Sequence, residues 1–418
     1  MAKAAAVLGV FLLDQLQNPV RVGTLSRDAD GGVSFVVSEA YLRDPDRPIL
    51  SLGWYDTRFD EGSKRRLASR RDKIALRGAL PPWFAGLLPE GALRDLVLTE
   101  MGPGDHDQFD VITRLGGDLP GAVIVSPETD DIKSAGPLRL ERVRGLPTAD
   151  PEGMVKFSLA GVQLKLTGDI SGDRLTLPGR GSSGRCIIKF PAKPYPGLPE
   201  VEYAAMQLAH AAGVNTASCQ LVPCDAVEGV PGELLTHGAN VLVVQRFDRS
   251  DNDARIHIED AGQVLGALDI FKYTMGTTDT VLNMVRRFST DSRADIAEAL
   301  RRVVVDVLIG NGDNHLKNWS FRFPGAGEIR LSPAYDIVPT ILYLPGDELA
   351  LRFVGTQRFE SVNLHRFERI ASFLGLDPKW AGAEVRRTID ETQNLLASQK
   401  AEGARYCRPV AITEFRIF

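Results

Sequence analysis

The chain changes its pattern of hydrophobic and polar positions along its length. In the first 60 residues, short runs such as 20–25 and 33–37 alternate apolar with polar positions, the period of strands that bury one face. The stretch 83–101 has mostly helical spacing, and 122–125 returns to a strand pattern. This order predicts a first unit of mixed helices and strands that ends near residue 130.

A second unit of strands follows. Residues 162–167 alternate strictly, which places Gln163 and Lys165 on one face of a strand. Residues 186–190 are apolar except for Lys189, and 241–244 form another apolar run, so both are expected to be buried strands. Between them, Pro199 begins a helix that is predicted to end at Gly213. From about residue 260 the pattern is helical, broken between 311 and 343 by turn residues and two short strands, 319–323 and 329–331.

Composition narrows the class of protein. The 418 residues are 44% hydrophobic and 25% charged, which predicts a soluble globular chain and excludes disorder as its main state. The net charge of −5 provides no long-range attraction for nucleic acid or anionic membranes, and the basic segment 63–72 is interpreted as a solvated surface. The apolar run 4–13 is too short to cross about 30 Å of hydrocarbon and predicts a buried first strand. Four cysteines and six histidines lack disulfide or zinc spacing, so we expect a cytoplasmic protein without a structural metal.

The break in the helical half carries the candidate chemistry. Asp313 is followed five residues later by Asn318, and Asp336 lies across a predicted hairpin. This is the spacing of a kinase catalytic loop and its metal-binding aspartate. The first carboxylate would hold the nucleophilic hydroxyl, and the amide and the second carboxylate would bind Mg²⁺ against ATP. A turn followed by a surface hairpin explains either half alone, but the two halves together favour the kinase.

A kinase also needs a cation for the α and β phosphates and a carboxylate that orients it. Lys189 lies within an apolar strand, where an unpaired lysine would be costly, and the next helix offers Glu200 and Glu202 as counter-ions. The alternative is an edge strand from which the lysine reaches water.

The phosphate loop is expected before this strand. The segment 179–184 has the form G-x-G-x-x-G, but it opens a strand and ends five residues before Lys189, which favours a flexible turn. The segment 158–165 has small residues that let backbone N–H groups approach an anion, and it ends with Lys165.

These segments together resemble the HipA-type serine/threonine kinases, which are toxins of bacterial type II toxin–antitoxin modules. The resemblance covers most of the chain, in the order 84–90, 109–112, 158–165, 187–190, 202–203, 244–249, 258–260, 313–318 and 335–337. It implies an α+β fold, two-lobed and kinase-like, with an extra N-terminal α+β subdomain at 1–130. A β-rich small lobe would span 131–247, and an all-helical large lobe would span 248–418.

The resemblance also implies roles for the matching residues. Asp313 would be the catalytic aspartate, Asn318 and Asp336 the metal ligands, Glu202 the partner of the phosphate-binding lysine, and Ser158 the site of autophosphorylation. Gln245 and Ile258 depart from the Glu and Gln that the family often has there, which bears on nucleotide affinity. The expected ATP-binding residues are Ala160, Gly161, Val162, Gln163, Leu164, Lys165, Lys189, Gln245, Arg246, Phe247, His315, Asn318, Tyr335 and Asp336.

The implied function is an ATP- and Mg²⁺-dependent protein serine/threonine kinase that causes growth arrest and persistence. The implied substrate is an aminoacyl-tRNA synthetase, with a glutamyl-type enzyme as the first expectation. The implied partner is a HipB-like helix-turn-helix antitoxin, through which the complex would bind operator DNA, and no membrane is expected. Two alternatives stay open: a small-molecule or lipid kinase with the same lobes, because the catalytic residues do not report which hydroxyl arrives, and an inactive co-repressor that binds the antitoxin.

Overall fold

The computed structural model describes residues 5–127, 163–171, 174–176, 184–250 and 252–401. The predicted mixture of helices and sheets is confirmed. Of the expected phosphate loop, Ala160, Gly161 and Val162 lie outside the described residues, as does Ser158. No helix in the described ranges is long and apolar enough to span a membrane.

The N-terminal part is one antiparallel sheet covered by short helices. Its strand order is β4-β3-β2-β1-β5, and apolar side chains such as Val10, Leu25 and Phe35 fill one core between the sheet and the helices. The expected first strand is confirmed as β1. The elements are β1 (Ala6–Leu13), β2 (Pro19–Arg27), β3 (Val33–Val37), α1 (Glu39–Arg43), α2 (Asp60–Ala68), β4 (Ile74–Ala75), α3 (Pro82–Ala85), α4 (Gly91–Met101), α5 (Gln108–Leu115) and β5 (Val123–Pro127).

The middle part is a six-stranded sheet with a helix packed on it. Its strand order is β10-β7-β6-β8-β11-β9, so the strand that carries Lys189 is an inner strand, paired on both sides. An edge-strand position for this lysine is therefore excluded. The elements are β6 (Lys165–Ser171), β7 (Arg174–Thr176), β8 (Cys186–Lys189), α6 (Leu198–Ala211), β9 (Cys219–Pro223), β10 (Val227–Glu228) and β11 (Asn240–Gln245).

The C-terminal half is mostly helical, but the expectation of an all-helical lobe is wrong. It contains a three-stranded antiparallel sheet, β12-β13-β14. The two short strands predicted here are confirmed as β13 and β14, whereas β12 was missed because polar residues, His257 and Glu259, occupy its buried positions. The elements are β12 (His257–Asp260), α7 (Ala261–Leu265), α8 (Thr278–Phe288), α9 (Ser292–Ile309), β13 (Ser320–Phe323), β14 (Arg330–Leu331), α10 (Leu364–Phe373) and α11 (Pro378–Ala401).

The N-terminal part is joined to the rest of the chain by buried polar contacts. The Glu259 carboxylate accepts hydrogen bonds from the Leu52 backbone N–H at 2.8 Å and the Trp83 indole N–H at 2.7 Å. The Arg255 guanidinium donates to four backbone carbonyls of the segment 117–123. Such groups are costly to bury without partners, so these contacts require the two parts to stay docked.

Helix α4 extends this junction into the second core. Its residue Leu96 is fully buried and packs with Leu166 of β6 and Ile188 of β8, beneath the middle sheet. The helix belongs to the N-terminal part by sequence, and its apolar face completes the core of the middle sheet.

Candidate functional site

Two lysines face each other on neighbouring strands of the middle sheet. In the antiparallel pairing of β6 with β8, Lys165 lies directly opposite Lys189. The Lys165 ammonium contacts Asp336 Oδ2 at 2.6 Å, and the Lys189 ammonium contacts Asp336 Oδ1. The structure therefore brings together a lysine from the expected phosphate loop, the expected phosphate-binding lysine and the expected metal ligand.

Helix α6 adds a second carboxylate to this cluster. The helix begins at Leu198 with Pro199 at its second position, and Glu202, just after the first turn, forms a buried ion pair with Lys189. Burial alone would lower the pKa of the Lys189 ammonium, but the charges of Asp336 and Glu202 outweigh it and raise the pKa. The lysine is thus held as a fixed cation. The other candidate counter-ion, Glu200, instead accepts a hydrogen bond from Asn240.

Asp336 is held in an uncommon backbone conformation. Its φ is +54°, in the left-handed region that non-glycine residues seldom adopt. Burial would raise the pKa of its carboxyl, but the two lysine ammonium groups outweigh burial and lower it far below its usual range. The carboxylate is therefore ionised at every physiological pH.

The loop that carries Asp313 is fixed by the end of α9. The helix stops at Gly310, whose left-handed φ of +73° suits a glycine. Asp306 lies in the last turn of the helix, and its buried carboxylate accepts hydrogen bonds from the side-chain amides of two residues that follow the helix, Asn311 and Asn314. At Gly312 a Cβ atom would lie 2.0 Å from a carboxylate oxygen of Asp347, so the close approach requires glycine. The loop is thus anchored on both sides of Gly312.

Within this loop, Asp313 and Asn318 are hydrogen-bonded to each other. The Asn318 side-chain amide donates to the Asp313 carbonyl at 2.8 Å, which leaves its amide oxygen for a different partner. The Asp313 carboxylate accepts a hydrogen bond from the Tyr273 hydroxyl at 2.5 Å. Burial raises the pKa of this carboxyl to about 6, against the opposing effect of the tyrosine hydrogen bond. A carboxylate with such a pKa can accept a proton near neutral pH.

The chemistry of the expected donor set suits a magnesium ion that is shared with a ligand. The ionised Asp336 carboxylate and the Asn318 amide oxygen are hard oxygen donors of the kind that Mg²⁺ prefers. Among the described residues, no group of three or more His, Cys, Asp or Glu side chains could hold a metal ion. A magnesium ion here would complete its coordination with waters and phosphate oxygens, as nucleotide-bound Mg²⁺ does.

His315 and Tyr335 flank the same loop. The His315 ring is buried, packs edge-on against Tyr273 with ring centres 5.1 Å apart, and has no hydrogen-bond partner at either nitrogen. Burial lowers the pKa of this imidazole to about 3, so the ring is neutral. The Tyr335 hydroxyl donates to the Lys317 carbonyl at 2.7 Å, and its ring lies 5.4 Å from that of Phe247. Phe247 of the expected hinge is thereby brought to the loop.

The other expected hinge and phosphate-loop residues lie at the edges of the site. The Cys186 thiol donates to the Gln245 side-chain oxygen. The Arg246 guanidinium points elsewhere, into a buried ion pair with Asp248, and its side chain is not brought to the lysines. Gln163 donates to the Phe190 carbonyl at 3.0 Å, and Leu164 is buried beside it.

Four residues of this region were missed from the sequence: Tyr273, Glu90, Lys272 and Lys317. The Glu90 carboxylate, from the N-terminal part, contacts the ammonium groups of Lys317 at 2.5 Å and Lys272 at 2.7 Å. None of the four belongs to a local motif with a mechanism of its own. Lys317 lies inside the Asp313–Asn318 loop and Glu90 ends the segment 84–90 that carries the family resemblance, but the sequence assigned no role to either.

Comparisons with known proteins show the family of the chain. A model of the HipA-like C-terminal domain matches residues 157–398, and a model of the HipA N-terminal domain matches residues 13–126. The chain therefore belongs to the HipA-like family, in which several curated members are named kinases.

Individual relatives match most of the chain. "Putative kinase Y4dM" of Sinorhizobium fredii is 38% identical over 386 residues, which cover 91% of this chain and 90% of the relative. The serine/threonine-protein kinase toxin HipA of Shewanella oneidensis is 26% identical over 321 residues, 70% of each chain. A solved structure of Shewanella oneidensis HipA with HipB and operator DNA has the same fold, with a TM-score of 0.69, 21% identity and coverage of 97% of this chain and 93% of that one.

Proposed function

We propose that the protein is an ATP- and Mg²⁺-dependent protein serine/threonine kinase. The observation that carries this proposal is the convergence of Lys165 and Lys189 on Asp336, with Glu202 behind Lys189. Phosphoryl transfer requires little covalent work from the protein and depends on positioned charge. A cluster of two lysine side chains and an ionised carboxylate, in a site that also contains the loop of Asp313, meets that requirement.

Each residue has a separate task in this proposal. The Asp313 carboxylate orients the acceptor hydroxyl and takes its proton, and the two lysines neutralise phosphate oxygens of ATP. Asn318 and Asp336 would hold Mg²⁺, which would supply positive charge against the phosphates of ATP. The segment 160–165 would bind phosphates through its backbone, His315 and Tyr335 would contact the nucleotide, and residues 245–247 would border the adenine. The departures at Gln245 and Ile258 bear on nucleotide affinity more than on the phosphoryl-transfer step.

The biological role we propose is that of a toxin in a toxin–antitoxin pair. The relative from Shewanella oneidensis is named a toxin, and the solved complex of that HipA contains HipB and operator DNA. By similarity, this chain would bind a HipB-like antitoxin in the cytoplasm and reach DNA mainly through it, since its own net charge is −5. Its substrate would be an aminoacyl-tRNA synthetase, with the glutamyl-type enzyme first, and growth arrest and persistence would follow.

The domain boundaries and the autophosphorylation site are part of the same proposal. The N-terminal subdomain would span 1–130, the small lobe 131–247 and the large lobe 248–418. Ser158 would accept phosphate from the enzyme itself. A phosphoserine adds nearly two negative charges to a segment that must bind ATP phosphates, so repulsion would expel the segment and silence the kinase.

Labelled ATP with Mg²⁺ and cell extract tests the proposal. The native chain should transfer label to a protein, and Asp313→Asn and Asp336→Asn should each lose at least about a hundredfold in rate. Asp390→Asn, on the exposed face of α11, is the matched control and should behave as the native chain does. Label in a metabolite instead of a protein would support the small-molecule or lipid kinase. If no label is transferred and calorimetry detects no binding of MgATP, the remaining alternative is the inactive co-repressor.

A further inference from the structure

Glu90 is an unusual residue for the N-terminal end of α4. It occupies the N-cap position, where Ser, Thr, Asp and Asn are favoured because their side chains bond to the first helical N–H groups. Glu90 makes no such bond. The next residue, Gly91, has a left-handed φ of +52°, which turns the chain sharply at this point. A residue that gives up a helix cap is expected to have another use.

The side chain of Glu90 instead reaches the catalytic loop. One carboxylate oxygen contacts Lys317 at 2.5 Å, inside the loop, and the other contacts Lys272 at 2.7 Å. The Lys272 side chain is 8% exposed and that of Lys317 is 17% exposed, so these contacts are partly shielded from water. Although burial raises the pKa of Glu90, the two ammonium groups outweigh burial and lower it to about 2. Glu90 is therefore a charged clamp on both lysines.

Both clamped lysines lie next to groups that hold the reacting aspartate. Lys272 precedes Tyr273, whose hydroxyl bonds to Asp313, and the Lys272 carbonyl accepts the Leu316 N–H at 3.2 Å. Lys317 precedes Asn318, and its carbonyl accepts the Tyr335 hydroxyl. The segment 272–273 and the loop 313–318 touch directly, and one carboxylate from the N-terminal part of the chain binds a lysine of each. Lys317 also contacts Asp269 at 3.0 Å.

We infer that Glu90 is a positioning residue for phosphoryl transfer: by binding Lys272 and Lys317 together, it holds the Asp313 loop in its reactive geometry. This inference rests on the kinase function proposed above. Glu90 does not contact Asp336, Lys165 or Lys189 in any described interaction, so it should serve the transfer step and not the binding of ATP. The N-terminal part is accordingly a component of the catalytic assembly.

Glu90→Gln in the full chain tests the inference, because it keeps the size of the side chain and removes its charge. A misplacement of about 1 Å at a catalytic group can cost up to about a hundredfold in rate, so kcat should fall by about ten- to a hundredfold. The KM for ATP and the calorimetric Kd for MgATP should stay within about twofold of the native values, less than about 0.5 kcal/mol in binding free energy. Hydrogen exchange should show lost protection of residues 313–318.

The matched control is Glu100→Gln. Glu100 also lies in α4 and forms an ion pair, with Arg114 at 2.9 Å, within the N-terminal part. This variant should keep the native kcat and the native exchange of the loop. The inference is overturned if Glu90→Gln keeps native kcat and loop protection, or if it loses ATP affinity and kcat together as a generally destabilised chain would. Should the native chain itself transfer no phosphate, the proposed function fails, and loop exchange in Glu90→Gln alone decides whether the clamp exists.

Discussion

Lys165 and Lys189 lie directly opposite each other on antiparallel strands, and their ammonium groups contact the two carboxylate oxygens of one residue, Asp336. Like charges at facing positions of a sheet repel each other, so this pair needs an anion between its members. In the present structure Asp336 is that anion. Phosphate oxygens are chemically equivalent partners for the same two cations, which is why this relationship supports nucleotide binding.

Lys189→Met should destabilise the fold and abolish MgATP binding. The substitution leaves the buried carboxylate of Glu202 and the half-buried carboxylate of Asp336 without their shared cation, and removal of one partner from a buried ion pair such as Lys189–Glu202 costs about 3 to 5 kcal/mol. Chemical denaturation measures the free energy of unfolding, and calorimetry measures binding. Lys193→Met, at an exposed position close by, should leave both unchanged. Equal stability of the two variants would contradict the role given to Lys189.

The rate of phosphoryl transfer should rise with pH through the pKa of Asp313, about 6, because the carboxylate form accepts the proton. Tyr273→Phe removes a hydrogen bond that stabilises this carboxylate, so the pKa should rise further. The acid limb of the kcat profile should therefore move to higher pH by about one unit. Tyr343→Phe loses a hydroxyl that bonds to the Pro196 carbonyl and should leave the profile in place. A shift to lower pH, or none, would refute the assignment of Asp313 as the base.

Ser158→Ala should lose self-labelling with ATP while it keeps transfer to other proteins. The substitution removes the hydroxyl that we propose as the acceptor and leaves the lysines and Asp313 untouched. Phosphopeptide mapping of the native chain gives the position, and Ser69→Ala, at an exposed serine of the N-terminal part, is the control. Undiminished incorporation into Ser158→Ala would move the autophosphorylation site elsewhere.

Glu259 should make stability depend on pH. Burial raises the pKa of its carboxyl to about 7, above its ordinary value of 4.5, so the native state favours the protonated form. The protonated carboxyl therefore contributes its full stabilisation below pH 4.5, the pKa of the group in the unfolded chain. This contribution to the free energy of unfolding is lost as pH rises from 4.5 to about 7, by about 1.4 kcal/mol per pH unit.

The glutamine of Glu259→Gln does not titrate. As pH rises over this interval, the free energy of unfolding of this variant should therefore increase relative to that of the native chain. Urea denaturation across the interval measures the difference. Glu391→Gln, on the surface of α11, should run parallel to the native chain. A constant difference between the native chain and Glu259→Gln would show that Glu259 stays ionised when buried.

The parts of the molecule that were predictable from sequence are those with local signals. The apolar run of β8 and the turn residues before β13 set the positions of Lys189 and of the loop, and the structure has both strands where they were expected. Strand β12 gave no such signal, because Glu259 points inward to groups that are about 200 residues away in sequence. The contact of Glu90 with Lys272 was missed for the same reason, since the two residues are 182 positions apart. Long-range polar contacts of this kind have no sequence period.

Leu96 belongs to the N-terminal part by sequence but is buried beneath the middle sheet, so the chain cannot be cut between these two parts without opening a core. A fragment that starts after residue 130 would retain Lys165, Lys189, Asp313 and Asp336. It would, however, expose the apolar surface of the middle sheet that Leu96 covers, and it would leave Lys272 and Lys317 without Glu90. Such a fragment would be expected to aggregate when expressed alone. Recombinant work and drug screening on this protein should therefore use the intact polypeptide.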